Sequence, residues 1–151
     1  MPSQSSVGPE EGVDISNLDF RVQNKEGSAM QRGDLCVIST QQNSTTGRFN
    51  SIKEPVAGDL FAKVFAVALE PIADDGWGMV RVQGRVTHMK VGAATSIGDT
   101  LVVAATDKVV AANGSSAHKV VFICEAAATG ANVKIAGIFD GWAGFGKDLV
   151  S

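Results

Sequence analysis

The second half of this chain repeats the first, and that repeat limits the fold more than any other feature. Gly33-Asp34-Leu35 opens a run of β-formers that ends in Val67-Ala68-Leu69-Glu70, followed by a Gly-containing turn and Val80-Arg81-Val82-Gln83-Gly84. Gly98-Asp99-Thr100-Leu101 opens a second run that ends in Phe122-Ile123-Cys124-Glu125, followed by a turn at Gly130 and Val133-Lys134-Ile135-Ala136-Gly137. Glu70 and Glu125 lie 55 positions apart and Gly84 and Gly137 lie 53 apart, so the spacing is nearly kept. The turns Asp75-Gly76-Trp77-Gly78 and Asp140-Gly141-Trp142-Ala143-Gly144 also echo one another. A doubled strand module with no catalytic cluster in either copy predicts a surface that binds rather than a pocket that reacts.

Strands are expected at 34–39, 61–70, 78–89, 100–105, 108–112, 119–125 and 132–139. Gly, Asp and Asn punctuate them at Gly47, Gly58-Asp59, Asp74-Asp75-Gly76, Gly98-Asp99, Asn113-Gly114 and Gly130, the residues that tolerate turn geometry. Val80, Val82 and Val86 alternate with Arg81, Gln83 and Arg85, which puts one face inward and a polar face outward. The run Phe61–Leu69 is apolar nearly throughout, and its β-branched and aromatic content favours a strand buried on both sides. No amphipathic helix longer than two turns is legible. Many short strands with Gly-rich turns indicate an all-β antiparallel barrel or sandwich built from two modules, about 31–90 and 91–140. The Ser/Thr/Asn-rich stretch Gln41–Lys53 reads as a long loop that makes the first module longer.

Residues 1–30 read as an extended N-terminal arm, and 141–151 as a Gly/Trp/Phe-rich tail. The arm is polar except for a short alternation at Leu18, Phe20 and Val22, which reads as one half-buried strand. Its composition cannot offset the cost of ordering it, so contacts with another subunit or a larger assembly are expected to hold it.

The formal charge is −3, and nowhere do two Lys or Arg stand side by side, so the basic stripe of a nucleic-acid binder is missing. No segment approaches the roughly 18 to 20 apolar residues that cross a bilayer. Met1–Ser6 has neither the charge nor the apolar core of a signal peptide, which predicts synthesis in the cytoplasm with Cys36 and Cys124 reduced and buried. Those cysteines with His88 and His118 form no metal-ligand spacing. No nucleophile elbow occurs, Asp74-Asp75 reads as a turn, and Gly141–Lys147 lacks the spacing of a phosphate loop. No catalytic, metal or cofactor residue is expected, and the chain is read as a non-enzyme.

The ordered pattern of Gly-Asp-Leu, a β run closing in Val-Ala-Leu-Glu, a Gly turn, Val-x-Val-x-Gly and a second Gly-Asp-x-Leu-Val-Val resembles the small capsid decoration (cement) proteins of tailed phages, of the DUF2190-like type. Val91-Gly92-Ala93-Ala94, Ile97–Val103 and Asp107–Ala112 are similar to a typical middle stretch of that family. The resemblance covers about residues 30–140. It implies a β-rich protein on the outer surface of a phage head, bound as trimers to the major capsid protein at threefold or quasi-threefold positions and stabilising the shell against packaged DNA. Neither nucleic acid nor membrane is an expected partner. The arm, the 41–53 stretch and the tail depart from the family pattern.

Other virion roles compete with this reading: a head-fibre base, a tail component or a receptor-contacting spike. A small glycan-binding or hydrolytic β domain is a third, with Trp77 and Trp142 as stacking platforms. The residues expected to touch the capsid or a neighbouring subunit are Val7, Val13, Ile15, Leu18 and Phe20 of the arm, together with Trp77, Trp142 and Phe145.

Overall fold

The computed structural model describes residues 17–38, 50–56, 64–104, 110–111 and 119–145. Every regular element among them is a strand: β1 (Leu18–Asn24), β2 (Leu35–Ile38), β3 (Ser51–Lys53), β4 (Phe65–Ala68), β5 (Trp77–Lys90), β6 (Thr100–Val103), β7 (Val110–Ala111), β8 (Val120–Cys124) and β9 (Lys134–Asp140). The fold is all-β, as the sequence predicts. Two elements depart from that reading. β3 forms in what reads as the end of the polar 41–53 loop, because Ile52 turns into a core. The strand expected at 61–70 is ordered as Phe65–Ala68, buried on both faces, while 61–63 lie outside the described residues.

The strands join in one sheet, in the order β1-β3-β2-β4-β5-β9-β8-β6-β7, and β1 also pairs with β5. That extra pairing, running from Leu18 opposite Gln83 to Gln23 opposite Trp77, closes the first five strands into a small barrel. The other end closes too. A parallel bridge joins Val91 to Val110, and Gly92 N–H donates to Val110 O at 2.9 Å, so β5-β9-β8-β6-β7 forms a second ring. β5, at 14 residues, is shared: its first half serves the first barrel and its second half the second. Closure removes the exposed edges that short β-sheets otherwise offer to aggregation.

Matched hydrogen bonds show how the repeat is laid out. Gly33 N–H donates to Ala68 O and Gly98 N–H to Cys124 O, both at 2.8 Å. Leu69 N–H donates to Met79 O and Glu125 N–H to Ala136 O, both at 3.0 Å. Asp75 N–H reaches Asn24 O at 2.8 Å and Asn132 N–H reaches Val91 O at 2.7 Å. Asp75 and Asn132 both sit at positive φ, 61° and 64°, a conformation that Asp and Asn tolerate better than other non-glycine residues. Glu125 therefore matches Leu69 rather than Glu70. The Trp77 turn matches Val133-Lys134, so the Asp-Gly-Trp echo does not relate equivalent positions. The repeat also starts earlier than Gly33: β1 is the counterpart of the second half of β5, and the two modules meet near Gly84.

The barrels differ in how they fill themselves. Val22, Met30, Cys36, Ile52, Ala66, Ala68, Ile72, Val80 and Val82 form the first core. Met89, Leu101, Val110, Phe122, Cys124, Ala128, Ile135 and Phe139 belong to the second, which also takes in Leu35, Val37, Phe65 and Val67 from the outside of the first barrel. Bulk is exchanged across matched pairs. A Cβ on Gly78 would stand 2.5 Å from Ile72 Cγ1, and the second barrel has Ala128 and Ile135 at those places. A Cβ on Gly137 would stand 2.2 Å from Phe122 Cζ, and the first barrel has Ala66 and Val80 there. Volume is kept while the large and small partners change strands, the kind of swap that close-packed cores accept.

The Gly-Asp turns are the modules' common hinge points. Gly33 and Gly98 sit at φ 92° and 90°. Asp34 Oδ2 accepts Gln31 N–H and Asp99 Oδ2 accepts Ser96 N–H, both at 2.8 Å. Only the first turn lies between the barrels. Asp34 is 3% exposed, and Lys90 Nζ from the end of β5 lies 3.1 Å from its Oδ1, an ion pair without hydrogen-bond geometry.

Candidate functional site: the mouth of the first barrel

One end of the first barrel opens into an apolar mouth of about 220 Å³ lined by Phe20, Arg21, Ile38, Asn50, Val64 and Trp142, with Val22 beneath. Ile38 and Val64 are half-buried and pack on the first core. The next residues inward on their strands are Cys36 and Ala66; the matching places in the second barrel hold Leu101 and Phe122. Likewise Val22, two residues on from Phe20, corresponds to Met89. Smaller side chains therefore stand behind the rim of the first barrel than at the matching places of the second.

Trp142 reaches this mouth from the other module. Asp140 Oδ1 accepts Trp142 N–H at 3.0 Å and Ala143 N–H at 3.1 Å, capping the turn after β9. Gly141 has backbone on top of it: a Cβ there would lie 2.0 Å from Phe65 O. Phe65 N–H donates to Gly141 O at 2.9 Å and Gly141 N–H donates to Val82 O at 2.8 Å. Lys119 Nζ donates to Trp142 O at 2.7 Å and lies 5.4 Å from the centroid of the Phe65 ring. Burial lowers the Lys119 pKa, with the charge of Asp140 opposing that shift. The Trp142 backbone is thus held from both barrels while its side chain stays 58% exposed.

The expected contact residues fall in different places. Phe20, 39% exposed, and Trp142 come together at the mouth, although they are 122 positions apart. Leu18 is half-buried against the first core. Trp77 is half-buried, and the Arg21 guanidinium sits 5.9 Å from the centroid of its ring, which leaves it unlike a free stacking platform. Phe145 is 40% exposed and its N–H donates to Val120 O at 2.8 Å, but it does not line the mouth. Val7, Val13 and Ile15 lie outside the described residues, as does His118. Arg21, Ile38, Asn50 and Val64 were not singled out in the sequence. The inward alternation of Ile38 and Val64 is visible there, but not that their strands end at an open rim.

Three further titratable groups among the described residues have shifted pKa values. Burial, and secondarily the charge of Asp34, raises the Cys36 pKa beyond the ordinary thiol range, and its thiol donates to Ala66 O. Burial also raises that of Cys124. His88 is shifted down by desolvation, then by the cations Arg32 and Lys134, and its Nδ1 lies 2.6 Å from Thr87 Oγ1. Among the described residues no three His, Cys, Asp or Glu side chains converge.

No family model and no curated protein matches the sequence. Among solved structures, the fold is similar to the crystal structure of the head fibre gp8.5 N base of bacteriophage phi29, with a TM-score of 0.57 and 12% identity over 85% of this chain and 98% of that one. At that identity the likeness is one of fold, and it extends over nearly the whole of the fibre base.

Proposed function

We propose that this chain is a virion structural protein that docks on the outer surface of a tailed-phage head and performs no catalysis. The fold shared with a phage head-fibre base over most of both chains carries this reading. The doubled Gly-Asp modules that resemble capsid decoration proteins support it from the sequence side. As a decoration protein it would bind the major capsid protein as a homotrimer, bridge neighbouring shell subunits and add multivalent contact area that resists internal DNA pressure. The fold match favours a second reading equally well, in which the two barrels are the base of a head fibre.

Sedimentation of undecorated heads with added protein tests the shared part of both readings. Saturable co-sedimentation is expected; its absence with folded protein refutes head attachment. Electron microscopy of decorated heads separates the two. Density limited to the barrels at threefold positions marks a decoration protein, and a projecting shaft marks a fibre base. In the same assay, removing residues 1–17 is expected to weaken binding at least tenfold, about 1.4 kcal/mol, with thermal unfolding nearly unchanged. Equal occupancy would show the arm to be incidental.

A further inference from the structure

The chain carries a knob as well as a socket. Ile97, at the tip of the turn between β5 and β6, is 73% exposed, above every other large apolar residue described. Its turn is rigid: Gly98 holds φ at 90°, Asp99 N–H donates to Ser96 O at 3.1 Å, and Asp99 Oδ2 accepts Ser96 N–H at 2.8 Å. The matching turn of the first module has Arg32 at this tip. Isolated exposed apolar residues need no explanation, but here one projects on a fixed turn with an exposed carboxylate two residues on. The mouth of the first barrel offers the complement. It is apolar, it has room for one aliphatic side chain, and Arg21 is the charged group on its rim.

We propose that copies of this chain associate head to tail, with Ile97 of one copy seated in the mouth formed by Phe20, Ile38, Val64 and Trp142 of the next, and Asp99 facing Arg21. Knob and socket belong to different modules and one side chain cannot occupy its own mouth and a neighbour's at once. Repeated from copy to copy, the contact closes by rotation into a ring, of two copies at the least, or runs on as a filament. Burial of one isoleucine and one opposed charge pair makes a modest contact, repeated at each junction. This goes beyond head attachment, because it assigns the surface through which copies meet in solution.

Sedimentation velocity of the purified chain, carried up to millimolar concentration with no heads present, provides the test. Wild type is expected to form oligomers. Ile97→Asp and Arg21→Glu should each weaken association about tenfold or more, with unchanged circular dichroism, since both side chains lie at the surface. Arg21→Glu also removes the contact with Trp77, so Arg21→Lys, which keeps the positive charge, supplies the control and should associate nearly as wild type does. Mixing Ile97→Asp, which keeps its socket, with Arg21→Glu, which keeps its knob, should give dimers and nothing larger. A monomeric wild type, association of Ile97→Asp equal to wild type, or association of Arg21→Lys as weak as that of Arg21→Glu would overturn the proposal, whatever the heads bind.

Discussion

The exchanged pair Ile72/Gly78 makes the repeat experimentally accessible. Ile72 is 1% exposed, so Ile72→Ala removes three buried carbons and should cost about 2–5 kcal/mol. Gly78→Ile alone drives a branched side chain into space that Ile72 already occupies, where even a Cβ would lie 2.5 Å from Ile72 Cγ1. Overpacking of that kind costs about 1–3 kcal/mol or more. Gly78 is not at positive φ, so no backbone strain is added. The double variant recreates the Ala128/Ile135 arrangement of the second barrel and should lose only about 1–2 kcal/mol, a volume-conserving swap. The two changes would then be coupled by about 2–3 kcal/mol. Urea unfolding of the four proteins, analysed at constant m, measures that coupling. Additivity within about 0.5 kcal/mol would show that the two barrels are not alternative packings of one module.

The other predictions use contrasts built into the fold. Asp34→Asn, which leaves Lys90 without its buried partner, should destabilise by about 3 kcal/mol; Asp99→Asn, in the matching exposed turn, should cost under about 1 kcal/mol, and equal losses in denaturant unfolding would contradict the burial argument. Because the Cys36 pKa is raised in the folded state, the folded protein keeps a proton that the unfolded chain releases above about pH 8.5. Stability is thus fully present below that pH and declines above it, by at most about 1.4 kcal/mol per pH unit for this thiol; Cys36→Ala should flatten the decline between pH 8.5 and 10, and an unchanged slope would refute the assignment. Thiol-specific reagents should label neither Cys36 nor Cys124 until the chain unfolds, and rapid labelling of the native protein would mean that the barrels open locally.

Strand positions were legible because Gly-Asp turns and period-2 alternation are local signals, and the Gly33 and Gly98 turns sit where those signals place them. The alignment of the repeat was less so. Glu70/Glu125 and the two Asp-Gly-Trp turns look equivalent as strings, yet backbone pairing puts Leu69 opposite the role of Glu125 and lysine in the role of Trp77. Registers are set by which residues turn inward, and a one-position slip exchanges the faces. β3 escaped notice because three residues with one buried isoleucine make no periodic pattern. The mouth was hidden for a different reason: Phe20, Ile38, Val64 and Trp142 come from four separate segments, and only barrel closure brings them to one rim.

Sharing β5 has a consequence for how far the two modules can be treated as separate domains. Residues 77–83 pair with β1 and β4, residues 83–90 pair with β9, and no turn stands between them. Leu35, Val37, Phe65 and Val67 project outward from the first barrel and yet are buried in the second core. The first barrel therefore provides part of the apolar filling that its neighbour lacks, and the Asp34–Lys90 pair lies across the same junction. Two tandem copies of a five-strand module would each be too small to bury much of their surface alone. By sharing one strand and one outer face, they gain a common core while each keeps its own interior. That division also frees the interiors to diverge: the second carries Phe122 and Phe139 where the first has Ala66 and Val82, and the mouth of the first opens at a rim held by both barrels.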